Sequence, residues 1–421
     1  MLGVRGQGSG DGWVFSHLQL TDRRERWLVG LADIGLAAAA PFLRRSPGAG
    51  GGDDRPAILL LRFERVGDLL MTLDAIGAVR ARSPHATIDL VVGSWNEQLA
   101  RLIPGLDRIE TLNAPWLARG AASHSFGDMV KRAKGWRGRR YDVAINFEGD
   151  VRSHALLGLS GAARRVGFDM AGGGPMLTDR VAFNPAIHTR SNSLRLVERA
   201  FDLPSGSLES HRPEPGARRL RMPDEARERA AALLAARSRG GTPVVVVHAG
   251  GGREIKQWNL ARFAEVANRL SASHGASIVL SGSAEDRPLV DQMKSGLRRE
   301  VECLDLAGRV DLVTLAAVLE EADLLLTGDT GPMHLAAALD VPLVAVFGPS
   351  DPARWGPVSG SARVVRVQLP CSPCNRIRRP PQRCRGHVTD CLGAIGADAV
   401  YDAASEVLSG DTWLTRNRSS S

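Results

Sequence analysis

The chain has 421 residues, of which 43% are hydrophobic, and it carries a formal net charge of +8 with a pI near 9.8. This length indicates two domains, and the excess of basic residues favours an anionic partner such as a phosphorylated small molecule or a lipid headgroup. Aromatic residues make up 5% of the chain and no nucleic-acid-binding motif occurs, so we expect no nucleic-acid partner. Five cysteines in so long a chain argue against a secreted disulfide scaffold.

Residues 1–55 are predicted to form an N-terminal extension that contains a helix and a linker. The glycine-rich start, residues 1–12, has no apolar segment typical of a signal peptide, so we expect the chain to stay in the cytoplasm. A helix is predicted over 18–43, with arginines near its start and an apolar run that is short for a membrane-spanning helix. This helix either lies on a membrane surface or packs against the protein itself. The stretch 46–55 is a flexible linker.

A first α/β domain is predicted over 56–205. A buried strand at 58–63 is followed by Asp68 and by a helix from Leu69. Asp68 therefore lies near a helix N-terminus at the carboxyl end of a strand, where open α/β sheets bind ligands. The alternative is that Asp68 is only a helix N-cap. Two further strands are predicted, at 87–92 and 142–147.

A cationic segment, KRAKGWRGRR at 131–140, precedes a predicted core strand. Such a segment is usually a solvated face, but Lys131 and Arg132 are equally candidates for binding an anionic acceptor. Arg62 and Arg65, at the end of the first strand, are candidates for the same role.

The boundary between the domains is predicted within the Pro- and Arg-containing connection 201–222. The second domain is predicted over 215–395, and a terminal helix and tail over 396–421. In the second domain, helices are predicted over 224–238, 260–270 and 312–320, and strands over 244–248, 278–281 and 304–306. The terminal helix is predicted over 397–408.

A glycine-rich loop, Ala249–Arg253, follows the first strand of the second domain. Gly250 and Gly251 allow a ligand to approach the backbone closely, and Lys256 supplies a positive charge for phosphate. The spacing is not that of a Walker A motif.

The most informative stretch is LLLTGDTGPMHLAAALDVPLVAVFGP at 324–349. It predicts a strand at 324–327, a loop, a helix with Pro332 at its first position and body at 333–339, and a strand at 343–347. Such a loop directs backbone N–H groups and the positive end of a helix dipole at a phosphate or diphosphate. An ordinary β–α turn is the alternative, but the polar side chains of Asp329, Thr330 and His334 favour the ligand site.

Four cysteines cluster late in the chain, at Cys371, Cys374, Cys384 and Cys391. The pattern is CxxC, nine residues, Cys, six residues, Cys, and four such ligands can bind a structural zinc ion tetrahedrally. The spacing is not a common zinc template. Two local disulfides, or reduced cysteines packed in a loop, are the alternatives.

Four stretches together resemble glycosyltransferase family 9, the heptosyltransferases: RFERVGDLLMTL at 62–73, VVHAGGGREIKQW at 246–258, GDTGPMHLAAALDVPLVAVFGPSDPARWGP at 328–357 and CSPC at 371–374. The resemblance covers residues 57–408. It implies the GT-B fold, in which two Rossmann-like domains face each other across a cleft, and inverting sugar transfer from a nucleotide-sugar donor. The typical donor is ADP-heptose, and the typical acceptor is a lipopolysaccharide core sugar, an anionic glycolipid. Work at the inner face of the cytoplasmic membrane follows as an expectation, with the enzyme bound peripherally.

The resemblance also implies roles for individual residues. Asp68 would be the general base on the acceptor hydroxyl, Lys256 would contact the donor diphosphate and Asp329 would hold sugar hydroxyls. The donor-binding set as a whole is Gly250, Gly251, Lys256, Asp329, Thr330, Gly331, Pro332, Met333 and His334, with His334 ordering the loop. The sequence has no Asp-x-Asp pair for a divalent ion, so we expect cationic and backbone donors, without a cofactor, to neutralise the leaving group.

The sequence departs from the family pattern at Glu64 and Arg65, where small hydroxyl residues are common, and at Asp74, where a proline is common. Two other functions stay open at this point. One is a GT-B transferase with a different nucleotide sugar and acceptor, and the other is a non-catalytic sugar-nucleotide-binding protein.

Overall fold

A computed structural model of the chain describes residues 18, 23–43, 55–118, 123–209, 219–235, 241–374, 384 and 390–410. Each half of the chain contains a six-stranded parallel sheet flanked by helices. The predicted α/β class with two Rossmann-like halves is therefore confirmed. The predicted domain boundary falls partly on residues 210–218, outside the described residues, so the domain limits stay predictions.

The first half contains the helical extension and the first sheet. Its strands are β1 (Ala57–Arg62), β2 (Thr87–Val92), β3 (Arg108–Thr111), β4 (Val143–Asn146), β5 (Arg164–Phe168) and β6 (Asp179–Val181), in the sheet order β3-β2-β1-β4-β5-β6. Its helices are α1 (Arg23–Leu43), α2 (Val66–Leu70), α3 (Leu73–Arg82), α4 (Glu97–Ala100), α5 (Phe126–Gly135), α6 (Val151–Leu159) and α7 (Thr189–Ala200).

The second half repeats this arrangement. Its strands are β7 (Val244–His248), β8 (Ser277–Leu280), β9 (Cys303–Asp305), β10 (Leu324–Gly328), β11 (Leu343–Val346) and β12 (Ala362–Val365), in the sheet order β12-β11-β10-β7-β8-β9. Its helices are α8 (Asp224–Leu234), α9 (Leu260–His274), α10 (Arg287–Ser295), α11 (Leu312–Glu320), α12 (Gly331–Ala338), α13 (Pro352–Trp355) and α14 (Ala397–Ser409).

The central strands are apolar because helices cover both faces of each sheet. The sequences AILLLR of β1, VVVVH of β7 and LLLTG of β10 are buried along almost their whole length. The strand order reverses between β1 and β4 in the first sheet and between β7 and β10 in the second. Open parallel sheets bind ligands in the crevice at the carboxyl ends of such strands. The loops after these four strands are therefore the expected positions of a site.

Several predicted helices have different bounds in the structure; the one predicted over 224–238, for example, ends at Leu234. The single helix predicted from Leu69 is two helices, because the chain breaks at Thr72, which caps α3. The helix predicted to end at Leu270 continues to His274, where Gly275 stops it in the left-handed conformation with φ of 64°.

Helix α14, which lies in the predicted terminal segment, packs against the second half. It packs on α9, and its Val400, Ala404 and Leu408 are buried in the same apolar core as the strands of that half. The packing follows from its amphipathic pattern, with one buried residue in roughly every turn.

Helix α1 packs against the first half through one face only. The Asp33 carboxylate accepts a hydrogen bond of 2.5 Å from the Gly173 N–H, and Val29 lies against Gly172. On the other side four apolar residues, Trp27, Leu28, Leu31 and Ile34, are each more than half exposed. Among the described residues, none of the helices combines the length and the hydropathy that spanning a bilayer requires.

Candidate active site

Asp68 lies in the first turn of α2, directly after β1. It is not the N-cap, which is Arg65, but its Oδ2 accepts a hydrogen bond of 3.3 Å from the Arg65 backbone N–H. The side chain remains 21% exposed. A carboxylate that is fixed at the sheet crevice and still accessible has the position that a general base needs.

Arg62, the last residue of β1, holds the start of α2 in place through hydrogen bonds and ion pairs. Its Nη1 donates to the Phe147 carbonyl at 2.5 Å and forms an ion pair of 2.9 Å with Glu64. Its Nη2 donates to the Asp68 carbonyl at 3.2 Å and lies 3.7 Å from Asp68 Oδ1. The Arg62 side chain is only 3% exposed, so its contacts are with the protein. The acceptor role expected for it stays a prediction.

Glu148, which sequence reasoning missed, lies in the same crevice after β4. Its Oε1 accepts a hydrogen bond of 2.5 Å from the Phe63 N–H, and its side chain is buried. Burial raises the pKa of Glu148 to about 8, and the charge of Glu64 adds to the rise while Arg62 opposes it. Glu148 is therefore mostly protonated at neutral pH. The sequence signal that could have identified it is an acidic residue directly after an apolar strand.

On the opposite side, the loops after β7 and β10 bring the predicted donor-binding residues together. Lys256 Nζ lies 2.6 Å from Asp329 Oδ2. Thr330 Oγ1 is hydrogen-bonded to Thr327 Oγ1 at 3.0 Å, and a Cβ on Gly251 would lie 3.8 Å from Thr330 Cγ2. The loop thus presents a cation, a carboxylate and a hydroxyl beside a glycine backbone, which suits a sugar diphosphate.

Helix α12 begins immediately after these residues, with Thr330 as its N-cap. Gly331 is its first residue and Pro332 its second, so Pro332 is one position later than predicted. The first-turn N–H groups have no intrahelical partner and form a site for an anion. The Met333 side chain is fully buried, so only its backbone can face a donor.

His334 lies where the two halves meet. Burial lowers its pKa to about 4; the charges of Asp329 and Asp68 oppose that shift, and those of His188 and Lys256 add to it. A Cβ on Gly67, the residue before Asp68, would lie 3.0 Å from the His334 ring, so α2 with Asp68 lies against α12 and the donor loop. The catalytic role expected for Asp68 and the donor-binding role expected for the loop stay predictions.

The remaining candidates lie elsewhere or at the edge of this site. Gly250 faces Asp286, whose carboxyl carbon would lie 2.8 Å from a Cβ at that position. Lys131 and Arg132 are exposed on α5 and line a surface cavity of about 380 Å³ with two further residues, His124 and Asp128. That cavity includes neither Asp68 nor a residue of the donor loop, and Arg65 is exposed beside Asp68.

The four late cysteines are described, but the residues between Cys374 and Cys391 other than Cys384 and Asp390 are not. None of the five cysteines forms a disulfide, and Cys371, Cys374 and Cys384 are exposed. Within the described part of the chain, no three His, Cys, Asp or Glu residues are grouped closely enough to hold a metal ion. The described residues therefore do not assemble the zinc site, which stays a prediction.

Two parallel sheets carry a carboxylate and a cationic loop at their switch points, and contact between α2 and α12 brings these together. This arrangement is that of a GT-B glycosyltransferase. A model of glycosyltransferase family 9 (heptosyltransferase) matches residues 129–384, more than half of the 421 residues. The chain belongs to this family and is a glycosyltransferase.

Curated relatives and solved structures agree with this assignment. The chain is 29% identical to lipopolysaccharide heptosyltransferase 2 of Salmonella typhimurium over 319 residues, which cover 74% of this chain and 88% of the relative. It is 28% identical to lipopolysaccharide heptosyltransferase 1 of Pseudomonas aeruginosa over 329 residues, which cover 75% of this chain and 85% of the relative.

Two solved structures share the fold. The structure of E. coli ADP-heptose lipopolysaccharide heptosyltransferase II matches with a TM-score of 0.67 and 23% identity, covering 84% of this chain and 98% of that one. A family 9 glycosyltransferase from Veillonella parvula matches with a TM-score of 0.70 and 21% identity, covering 84% of this chain and 97% of that one. The GT-B fold predicted from the sequence is confirmed.

Proposed function

We propose that this glycosyltransferase moves heptose, with inversion, from ADP-heptose to the core of lipopolysaccharide or to a related cell-surface glycan. The names of its relatives supply the sugar and the acceptor class. The observation that carries the proposal is the contact of His334 with Gly67, which brings α2 and its Asp68 against the loop that holds the Lys256–Asp329 ion pair.

The proposed reaction is a single displacement. As the acceptor oxygen forms its bond to the anomeric carbon, its proton passes to the Asp68 carboxylate. The bond from that carbon to the diphosphate oxygen breaks, and the leaving ADP takes the electron pair. Lys256 and the first N–H groups of α12 stabilise the charge that develops there, so the reaction as proposed needs no metal ion.

Lys256 and Asp329 form an ion pair, and the donor diphosphate would be a second anion beside Lys256. A diphosphate therefore shares or replaces the carboxylate as the partner of Lys256. Asp329 then has lone pairs available for sugar hydroxyls. This exchange couples recognition of the phosphate to recognition of the sugar.

The acceptor would be a membrane lipid, and we propose that the protein works at the inner face of the cytoplasmic membrane. The exposed apolar side of α1 and the net charge of +8 support this location, because apolar burial and attraction to anionic lipid together bind a helix in the interface.

The proposal is tested first with donors and then with transfer. A thermal-shift screen of ADP-, UDP- and GDP-sugars should show the largest stabilisation with ADP-heptose. A larger shift with another nucleotide sugar would favour the alternative transferase. Asp68→Asn should bind ADP-heptose like the parent but transfer about 100-fold more slowly or worse.

Asp291→Asn, at an exposed position on α10, is the matched control and should transfer normally. Transfer by Asp68→Asn within a few-fold of the parent would remove Asp68 from the mechanism. A donor that binds and is never transferred by the parent, with any acceptor extract, would favour the non-catalytic alternative.

A further inference from the structure

The helix that carries Asp68 touches the helix of the donor loop. Helices α2 and α12 pack together across the junction of the two halves. A Cβ on Gly331 would lie 3.6 Å from Val66 Cγ1, and a Cβ on Gly67 would lie 3.0 Å from His334 Cδ2. The ring of His334 therefore packs against the backbone of Gly67, the residue before Asp68, with no room for a side chain between them.

His334 suits a structural contact better than a proton transfer. It is buried, and burial lowers its pKa to about 4, so the ring is neutral at neutral pH. The charged or titratable groups that act on it are Asp329, His188, Asp68 and Lys256. Because the ring stays neutral, its charge does not change across the pH range in which the enzyme would work.

The contact joins two positions that the reaction requires to be correct together. At the N-terminus of α12, the backbone N–H groups would meet the donor diphosphate. One turn later the same helix carries His334, and across the contact Asp68 follows Gly67 in α2. Close-packed contacts of this kind transmit small displacements, because nothing soft lies between the two backbones to absorb them.

We propose that His334 is a positioning residue that couples the donor loop to the general base, through the contact of its ring with Gly67. The inference rests on the proposed function, because it assumes that Asp68 acts on the acceptor. When the donor fixes α12, the ring fixes α2 and thereby the carboxylate.

Gly67→Ala tests the contact directly, because the added methyl group would lie 3.0 Å from the ring. We expect kcat for transfer to fall about 10- to 100-fold, with the dissociation constant for ADP changed less than threefold. Gly77→Ala on α3 is the control, since no described atom lies within 4 Å of its Cβ outside its own helix backbone, and its kcat should equal that of the parent.

A double-mutant cycle separates coupling from simple damage. His334→Ala alone should also lower kcat, but Gly67→Ala should cost little more in that background, because the ring that it displaces is gone. Losses that multiply would overturn the proposal, as would a parental kcat for Gly67→Ala. A fall in ADP affinity equal to the fall in kcat would also overturn it.

Hydrogen exchange gives a readout that does not depend on transfer or on the folding of the Gly67 variant. ADP should slow amide exchange in α2 of the parent and have no such effect in His334→Ala, although both bind ADP. Equal protection of α2 in the two proteins would overturn the coupling. A parent that binds ADP and protects α2 but never transfers heptose would refute the proposed function and leave the coupling in place.

Discussion

Two acidic residues follow neighbouring strands of the first sheet, and their surroundings give them different properties. Asp68 keeps part of its side chain in solvent, whereas Glu148 is buried against the Phe63 N–H. Burial favours the neutral acid, because taking a charge out of water is costly. Asp68 is thus available to a substrate, and Glu148 holds the backbone at the end of β1.

Glu148→Gln should change how stability depends on pH. The pKa of Glu148 is raised from an ordinary 4.5 to about 8, so its stabilising contribution is complete at low pH and is lost as the pH rises through this window. The slope approaches about 1.4 kcal/mol per pH unit. Glutamine keeps an acceptor for Phe63 and carries no charge. The variant should therefore gain stability relative to the parent between pH 5 and pH 8.

Urea unfolding at several pH values measures this difference. Glu265→Gln, at a position whose side chain is 55% exposed on α9, is the control and should follow the parent at every pH. Parallel stability curves for Glu148→Gln and the parent would contradict the assigned protonation state.

Lys256→Ala should weaken donor binding. The substitution removes a cation from the diphosphate and leaves the Asp329 carboxylate without a partner that lies 2.6 Å away in the parent. A charged hydrogen bond of this kind corresponds to about tenfold or more in affinity. Titration calorimetry with ADP measures the effect, with Lys294→Ala, in a half-exposed ion pair on α10, as the control. An unchanged ADP affinity would refute the role of Lys256.

At the scale of single elements, α1 has one face on the protein and one in solvent. The sequence left two possibilities open for this helix, packing on the protein and lying on a membrane. The contact of Asp33 with Gly173 and the exposure of Leu28, Leu31 and Ile34 are compatible with both at once. An amphipathic helix that is held on the body of a protein can still place its free side in a lipid interface.

Replacing Leu28, Leu31 and Ile34 together by Gln should reduce binding to vesicles that contain anionic lipid. Each change removes apolar area that would enter the interface. Co-sedimentation measures binding, and Val364→Gln, at an exposed position on β12 of the other half, should bind like the parent. Vesicle binding by the triple variant equal to that of the parent would refute the proposed role of α1 at the membrane.

The late cysteines are the other element that needs an experiment. Metal analysis of protein that is prepared under reducing conditions without chelators should find one zinc per chain if the spacing predicted correctly, and Cys371→Ser with Cys374→Ser should lose it. Absence of zinc from the parent would reject the metal site.

At the scale of the whole molecule, Asp74 belongs to a charged network that links the two halves. This carboxylate is paired with Arg190 of α7, and its Oδ1 lies 3.4 Å from Arg219 Nη1. Arg219 Nη2 in turn donates to the Ala337 and Val358 carbonyls of the second half at 2.6 and 2.8 Å. The Asp74 position, where the family commonly has proline, therefore ties the two halves together through largely buried charges.

Asp74→Asn should lower the free energy of unfolding by about 3 kcal/mol, because two largely buried guanidinium groups lose their charged partner. Chemical denaturation followed by tryptophan fluorescence measures the loss. Asp107→Asn removes a much more exposed ion pair with Arg80 and should cost less than about 1 kcal/mol. Equal costs for the two variants would contradict a stabilising role for the interdomain network.

Many elements were predictable because their signals are local. The bounds of β2, β7 and α11 agree with the predictions, since an apolar run or an apolar helical period ends at a polar or turn-forming residue in each case. The break between α2 and α3 was not predictable, because neither glycine nor proline marks Thr72.

The sequence by itself determined two parallel α/β halves, the loops that end their central strands, and three family motifs that contain Asp68, Lys256 and Asp329. Strand periodicity and loop chemistry depend on residues that are consecutive in the chain, so a single sequence is enough to recognise them. Only the tertiary structure decided that Arg62 is buried, that burial raises the pKa of Glu148, and that the His334 ring contacts Gly67. These properties depend on desolvation and contact between residues that are distant in the chain, and no local pattern records them.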